Sequence, residues 1–395
     1  MSKRPILRLK PREGRRARSG APWVFANEIA IDATTRSLPP GALVELESDE
    51  GRKFGVGYYN ANSLIAVRLF EVPPKTEIHC QFFAERFRRA LALRQILYKQ
   101  PYYRLVHAEG DHLPGLVVDR YGDLCIVQIT TAGMEALADV IVEALQAVIA
   151  PANIILRADA PVRSLEGLPS YVRDISGEMP VRVTLEENGT RYFADPQNGQ
   201  KTGWYYDQRD NRAFIASLAR GKTVLDAYCH TGGFALVAAL ADAKEATGID
   251  SSAPALALAD EAAAVNGVRG TSRFVKADVM EELERLGAAG EKFDIVICDP
   301  PPFVKSRKDL ESGARAYRKL ARLATQVTAP GGFLMLASCS HNIPVDRFRA
   351  ECGAGIVRTE RRASLIREAG ASPDHPVHPM LPETAYLKSL TYAVE

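Results

Sequence analysis

No stretch of this sequence is apolar for the roughly 20 residues that a membrane-spanning helix needs. The basic N-terminus does not lead into an apolar segment either, so a secretory signal is not expected. Cysteine is sparse. The six residues stand at 80, 125, 229, 298, 339 and 352, and none forms a Cys-x-x-Cys pair. That spacing argues against a zinc site or a disulfide framework. Neither a metal nor a membrane partner is expected, and a reducing cytoplasm is the natural compartment. An excess of one charge is missing as well: 50 Lys and Arg against 48 Asp and Glu leave a net charge of +2. The total therefore does not announce a nucleic-acid binder.

The distribution of charge says more. The first twenty residues hold eight basic residues, among them Arg15, Arg16 and Arg18, against Glu13 alone. Such a cluster reads either as a phosphate-binding patch or as a solvated basic tail. The length of 395 residues exceeds one ordinary core and implies two or three domains. Residues 1–72 alternate short β-like runs (42–46, 53–58, 65–70) with glycine turns, which suits a small β-barrel. Pro73-Pro74 marks a boundary. Residues 73–180 read as an α+β connecting domain, with helical periodicity over 81–98 and 134–149. The hairpin signal Asn188-Gly189 within 181–193 leads into a third domain, 181–395. The loop 195–212 between them is rich in Gly, amides and aromatics, and reads as a linker or as a lid over a ligand.

That third domain is organised around 223–234, an apolar run ending at Asp226, then a turn through Thr231, Gly232 and Gly233, then an alanine-rich helix. This is the first unit of an open α/β sheet, whose ligands lie outside the carboxyl ends of the strands. The turn is not the Gly-x-Gly-x-x-Gly that seats a pyrophosphate. A nucleoside-bearing cofactor without phosphates suits it better, and S-adenosylmethionine fits; an ordinary strand–helix turn is the alternative. Three further strands, 246–250, 273–278 and 293–299, each end in a carboxylate. Asp250 is at the distance for ribose hydroxyls, Asp278 for an adenine amino group, and Asp299 opens Pro300-Pro301-Pro302-Phe303. A helix over 312–329 and a strand over 333–337 follow. That strand runs into Ser338-Cys339-Ser340, so Cys339 falls on the same edge, either as a reachable nucleophile or as a buried core thiol.

The order of Val-Leu-Asp-Ala-Tyr-Cys-His-Thr-Gly-Gly-Phe, Asp-Pro-Pro-Pro-Phe and Ser-Cys-Ser resembles the bacterial large-subunit (23S) rRNA cytosine-C5 methyltransferases. The resemblance spans essentially the whole chain and includes Pro22-Trp-Val-Phe25, the run at 109–120, His375-Pro-Val-His-Pro and Tyr386-Leu-Lys. The Ala-Tyr that follows Asp226 is a local departure. The likeness implies an N-terminal PUA-like RNA-binding β-barrel, a central α+β domain and a C-terminal Rossmann-like class I methyltransferase domain. In that reading Cys339 is the nucleophile and Asp299 holds the cytosine edge. Asp226, Tyr228, Cys229, Thr231, Gly232, Gly233, Asp250, Ser251, Asp278, Asp299, Gln208 and Arg212 line the cofactor. Arg15, Arg16, Arg18, Lys201, Arg209, Phe303 and Lys305 meet the RNA, with the arginine at 212 also near phosphate. The alternatives are an rRNA guanine methyltransferase without a nucleophilic cysteine, or a non-catalytic RNA-binding assembly factor. A homodimer is left open.

Overall fold

The computed structural model describes residues 4–395 except Ser176, Glu178, Met179, Asn198, Gln200 and Lys201, with backbone alone at Thr34. The chain divides into two compact units. The first comprises Met1–Val181, Pro196–Trp204 and Pro373–Thr384; the second comprises Arg182–Asp195, Tyr205–Ser372 and Ala385–Glu395.

In the first unit, β1 (Ile6–Arg8), β2 (Trp23–Val24), β3 (Ala42–Glu47), β4 (Lys53–Tyr59) and β5 (Val67–Leu69) form a sheet in the order β1-β3-β4-β5-β2. Short helices α1 (Arg15–Arg18) and α2 (Ala33–Ser37) accompany it. The N-terminal segment is no solvated tail: Leu7 and Leu9 are buried and β1 pairs with β3. A second sheet has the order β10-β9-β8-β7-β6, built from β6 (Tyr102–His107), β7 (Leu116–Tyr121), β8 (Leu124–Ile129), β9 (Asn153–Ala158) and β10 (Tyr171–Asp174). Helix α3 (Cys80–Leu97) brings Phe82, Phe83 and Phe87 into one core, where Phe70 meets Phe82 edge-on at 5.3 Å. The single helix expected over 134–149 is two, α4 (Ala132–Ala136) and α5 (Ala138–Val148), broken at Leu137 where φ is −109° and ψ is 10°.

The second unit opens with a hairpin of β11 (Val183–Glu187) and β12 (Thr190–Ala194), whose turn has Asn188 and Gly189 at φ 52° and 75°. Two successive positive φ angles make the tight turn that an Asn-Gly pair favours. Then follow α6 (Arg209–Leu218), β13 (Thr223–Ala227), α7 (Gly233–Leu240), β14 (Glu245–Asp250), α8 (Ala253–Val265), β15 (Ser272–Lys276) and α9 (Val279–Ala288). The unit closes with β16 (Phe293–Cys298), α10 (Leu310–Val327), β17 (Thr328–Ser338), α11 (Val345–Val357), β18 (Ala363–Ala369) and β19 (Lys388–Val394).

The sheet order is β15-β14-β13-β16-β17-β19-β18. The first five strands are parallel and β19 runs antiparallel between β17 and β18. Parallel pairing requires crossovers, which the helices supply, and strands buried on both faces read as Val/Ile/Leu runs such as 295–297. Succession leaves β13 towards β14 on one side and reaches β16 on the other. The crevice between β13 and β16 is therefore the switch point where such sheets bind ligands. Two boundaries differ from the sequence reading. β15 stops at Lys276, because Asp278 starts the next helix, and β17 begins at Thr328, with a register shift opposite Phe293/Ile295 that carries it past Pro330-Gly331-Gly332. Among the described residues no helix is long and apolar enough to cross a membrane.

Candidate active site

Asp226 lies at the switch point, opposite Gly248 of β14 and Ile297 of β16. Its Oδ2 accepts the backbone N–H groups of Phe234 (3.2 Å) and Ala235 (2.9 Å) at the start of α7. Burial nevertheless pushes its carboxyl up to about 7; the two N–H donors resist and the negative charge of Asp299 adds to the rise. Burial wins because desolvation acts on the whole charge while the hydrogen bonds offset part of it.

The loop between Asp226 and α7 alternates left-handed residues: Tyr228 at φ 67°, His230 at 51° and Gly232 at 79°. Only the glycine adopts this without cost, so Tyr228 and His230 store strain of the kind found at ligand clamps. A Cβ on Gly232 would stand 3.0 Å from the Phe274 ring, so a side chain there would have to push the ring aside as well as hold a positive φ. Asp250 fastens the far side, accepting the N–H of His230 (2.9 Å) and of Ser252 (2.8 Å). Burial holds the His230 imidazole below its ordinary range, opposed by Asp250, and the Tyr205 ring meets it edge-on at 5.4 Å. Two polar atoms of this crevice, Asp226 Oδ1 and Thr231 Oγ1, are buried without a hydrogen-bond partner among the described residues. A buried carboxyl oxygen and a hydroxyl left without partners fit the ammonium and hydroxyl groups of S-adenosylmethionine.

The remaining expected cofactor residues are placed unevenly. Cys229 is buried beneath Gly248, where a Cβ would come 2.8 Å from its sulfur, and burial raises its thiol well above the ordinary range. Ser251 is exposed. Asp278 is exposed and caps α9, accepting from Met280 N (2.9 Å) and Glu281 N (3.1 Å). Gln208 is buried and donates from Nε2 to Asp299 Oδ2 at 2.9 Å, while its own Oε1 accepts from Asn211.

Arg209, expected at the RNA, and Arg212, expected at the cofactor and near phosphate, share one partner. Both are buried, and both guanidinium groups turn to the buried Glu187 at the end of β11. Arg212 also donates to the carbonyl of Tyr205. They tie the hairpin to α6 and are largely withdrawn from solvent. The reason is Glu187 itself: a buried carboxylate demands cations, and these are the ones that meet it.

Cys339 follows the last residue of β17 and is half-buried. The serines beside it are buried and form its frame. Ser338 Oγ donates to Tyr317 Oη at 2.7 Å, and the Ser340 hydroxyl lies 3.0 Å from the same phenol. Ser340 Oγ also accepts the N–H of Val304 (3.3 Å), and Tyr317 Oη that of Phe303 (3.4 Å). The Asp299–Phe303 turn and the Cys339 segment are thus joined through one tyrosine. Phe303 is half-buried with its ring 4.8 Å from that of Tyr317, and Lys305 is exposed. Cys80 is half-buried too but opens α3 in the first unit, whereas Cys125, Cys298 and Cys352 are fully buried with thiols pushed up by burial, Cys125 to about 12. Tyr205, Tyr317 and Lys388 all feel charge on Cys339. The sequence reading holds Tyr205 only as one aromatic of the linker or lid loop 195–212, and Lys388 and His230 only inside the runs Tyr386-Leu-Lys and Val-Leu-Asp-Ala-Tyr-Cys-His; Tyr317 gave no signal.

In the first unit, Arg15 is exposed, Arg16 pairs with Glu383 (2.8 Å), and Arg18 lies 3.6 Å from Asp49. Lys201 is outside the described residues. One trio there offers ligand-type atoms within 4.8 Å of one another: Glu71, His112 and His378. The His378 Nδ1 accepts the N–H of Met380 (3.1 Å), so Nε2 holds the proton and donates it to Glu71 (3.1 Å). A metal would need that lone pair, so the trio reads as a hydrogen-bonded clamp.

A model of the PUA-like domain matches residues 7–71, and a model described as S-adenosylmethionine-dependent methyltransferase matches 146–378. A ribosomal RNA large subunit methyltransferase I of Shewanella denitrificans is 35% identical over 393 residues, covering 98% of this chain and 99% of that protein. The chain belongs to the ribosomal RNA large subunit methyltransferase I family. It is an S-adenosylmethionine-dependent methyltransferase with an N-terminal PUA-like domain. Another member of the family, from Photobacterium profundum, is 36% identical, with 95% of each chain covered. The fold recurs in a putative SAM-dependent methyltransferase from Streptococcus mutans at TM-score 0.82 and 21% identity, covering 98% of this chain and 99% of that one. It recurs again in a putative methyltransferase solved with SAH, at TM-score 0.84 and 22% identity over the same shares.

Proposed function

We propose that this methyltransferase forms 5-methylcytosine in large-subunit ribosomal RNA, with Cys339 as the nucleophile. The observation that carries this reading is the half-buried Cys339 on the ligand edge of the sheet, framed by Ser338, Ser340 and Tyr317 and linked through Tyr317 to the turn after Asp299. Methyl transfer to a guanine nitrogen would leave that thiol without a purpose. Names of the curated relatives support the rRNA substrate. A working place in the cytoplasm follows from that substrate.

S-adenosylmethionine, when bound, supplies an electrophilic methyl group. In this reading Asp226, Thr231, the Gly232-Gly233 turn and Asp250 hold it, with Tyr228, Ser251 and Asp278 at its margins. Cytosine C5 is a poor nucleophile, and Cys339 overcomes this by adding its thiolate sulfur to C6, which makes C5 enamine-like. Asp299, oriented by Gln208 Nε2, accepts from the base edge near N3 and N4. Once C5 has gained its methyl group, its proton passes to water, the C5–H electron pair re-forms the C5=C6 double bond, and the C6–S bond breaks to release Cys339 as a thiolate. The base has to leave its stack to reach the pocket, as in other enzymes that modify bases. Phe303 offers it a stacking face.

RNA affinity belongs in this reading to residues 1–72, through Arg15, Arg16 and Arg18, with Lys305 beside the pocket. Residues 73–180 connect and pack, and 181–395 do the chemistry. RNA bearing 5-fluorocytosine has no C5 proton to lose, so it should trap the wild-type protein as a covalent adduct that survives denaturation. Cys339→Ala should form none. Adduct formation by that variant would contradict the assignment.

A further inference from the structure

Lys388 is a buried lysine at the start of β19, directly across the strand pair from Ser338. Its Nζ donates to the backbone carbonyl of Ser340 at 2.7 Å. Among the described residues no carboxylate forms an ion pair with it. Burying an ammonium is costly unless it is paired and hydrogen-bonded. An apolar side chain of similar length would fill this sheet position without that cost. The amino group therefore calls for a reason, and the segment it holds is the one that presents Cys339.

We propose that Lys388 is a positioning residue for methyl transfer: its ammonium fixes the Ser338–Ser340 segment and stabilises the Cys339 sulfur as a thiolate. The inference rests on the reading of Cys339 as nucleophile. An ordinary thiol has a pKa of about 8.5, so only a small part of it is ionised at neutral pH. Tyr205 and Tyr317 face Cys339, and burial keeps both phenols protonated; Asp207, Asp250 and Asp299 add negative charge around Tyr205. The ring of His341, two residues on, meets that of Tyr386 at 5.2 Å, tilted by 30°. Lys388 brings positive charge into this setting. Burial draws its proton affinity down, and charge on Cys339 pushes it back up. The coupling is mutual, so the ammonium lowers the thiol's pKa by as much as the thiolate raises the amine's.

The test reads the thiol and does not depend on methyl transfer. The full-length protein is alkylated with iodoacetamide across about pH 6–10, and modification at Cys339 is followed by peptide mass spectrometry. The wild-type midpoint should fall below about 8.5. Lys388→Gln should raise it by about one pH unit or more, the change that follows loss of a close opposite charge, and Lys388→Arg should keep it near the wild-type value. At pH 7 the methyl-transfer rate of Lys388→Gln should drop about tenfold for each pH unit of that rise and recover as the pH is raised. An unchanged midpoint in Lys388→Gln overturns the proposal. A wild-type midpoint at or above the ordinary value does so too, even if that variant does not fold. Either result leaves the role of Cys339 standing, whereas methylation by Cys339→Ala would remove that role without touching the alkylation data.

Discussion

Asp226 is a carboxylate that folding forces to hold its proton. Its folded pKa, about 7, stands above the ordinary value of about 3.9. Between those limits the folded chain binds a proton that the unfolded chain has lost, so stability falls as pH rises through this window. A window that wide bounds the loss at about 4 kcal/mol. Without added cofactor, urea unfolding should show the wild type markedly less stable at pH 8 than at pH 5. Asp226→Asn should flatten that difference, and an equal slope in the variant would mean that Asp226 stays ionised. The carboxylate and Cys339 were legible in the sequence because each follows an apolar run at a strand's end. Lys388 and Tyr317 were not, because β19 and α10 reach Cys339 only through tertiary packing. The pairing of Arg209 and Arg212 with Glu187 was not legible either, because the carboxylate stands more than twenty residues earlier in the hairpin and only the fold brings it between them.

Among the elements, the hairpin β11–β12 was announced by Asn188-Gly189, and its energetic anchor was hidden one residue earlier. Glu187 is buried with two arginines of α6, one of which is itself almost inaccessible. Removing the carboxylate leaves cations uncompensated in the interior, which typically costs about 3–5 kcal/mol. Glu187→Ala should therefore lower the unfolding free energy by that order, measured by denaturant titration. A loss below about 1 kcal/mol would place the trio with ordinary surface pairs. The strands of the parallel sheet were read to within a few residues, since runs buried on both faces are continuous in sequence. The turn after Asp226 was legible through Gly232 and Gly233 alone. Its strain lies equally in Tyr228 and His230, whose positive φ angles no composition reveals. β18 and β19 went unanticipated: Ala363–Ala369 is mostly exposed or half-buried, so it shows no apolar run.

At the scale of the whole molecule, a nearly neutral chain conceals a basic first turn, α1, attached to a small sheet, and a crevice assembled from strands that are dispersed over more than a hundred residues. The order of the motifs made both legible: each strand end of a parallel sheet brings its residues to the same edge, so their sequence order survives as spatial proximity. The nucleotide itself leaves no such trace. The central claim is that this edge methylates cytosine C5 through Cys339. Its most direct test incubates the protein with methyl-labelled S-adenosylmethionine and large-subunit rRNA, then identifies the labelled nucleoside by mass spectrometry. The wild type should yield 5-methylcytidine and Cys339→Ala none. A labelled guanosine, or equal 5-methylcytidine from the variant, would contradict the claim.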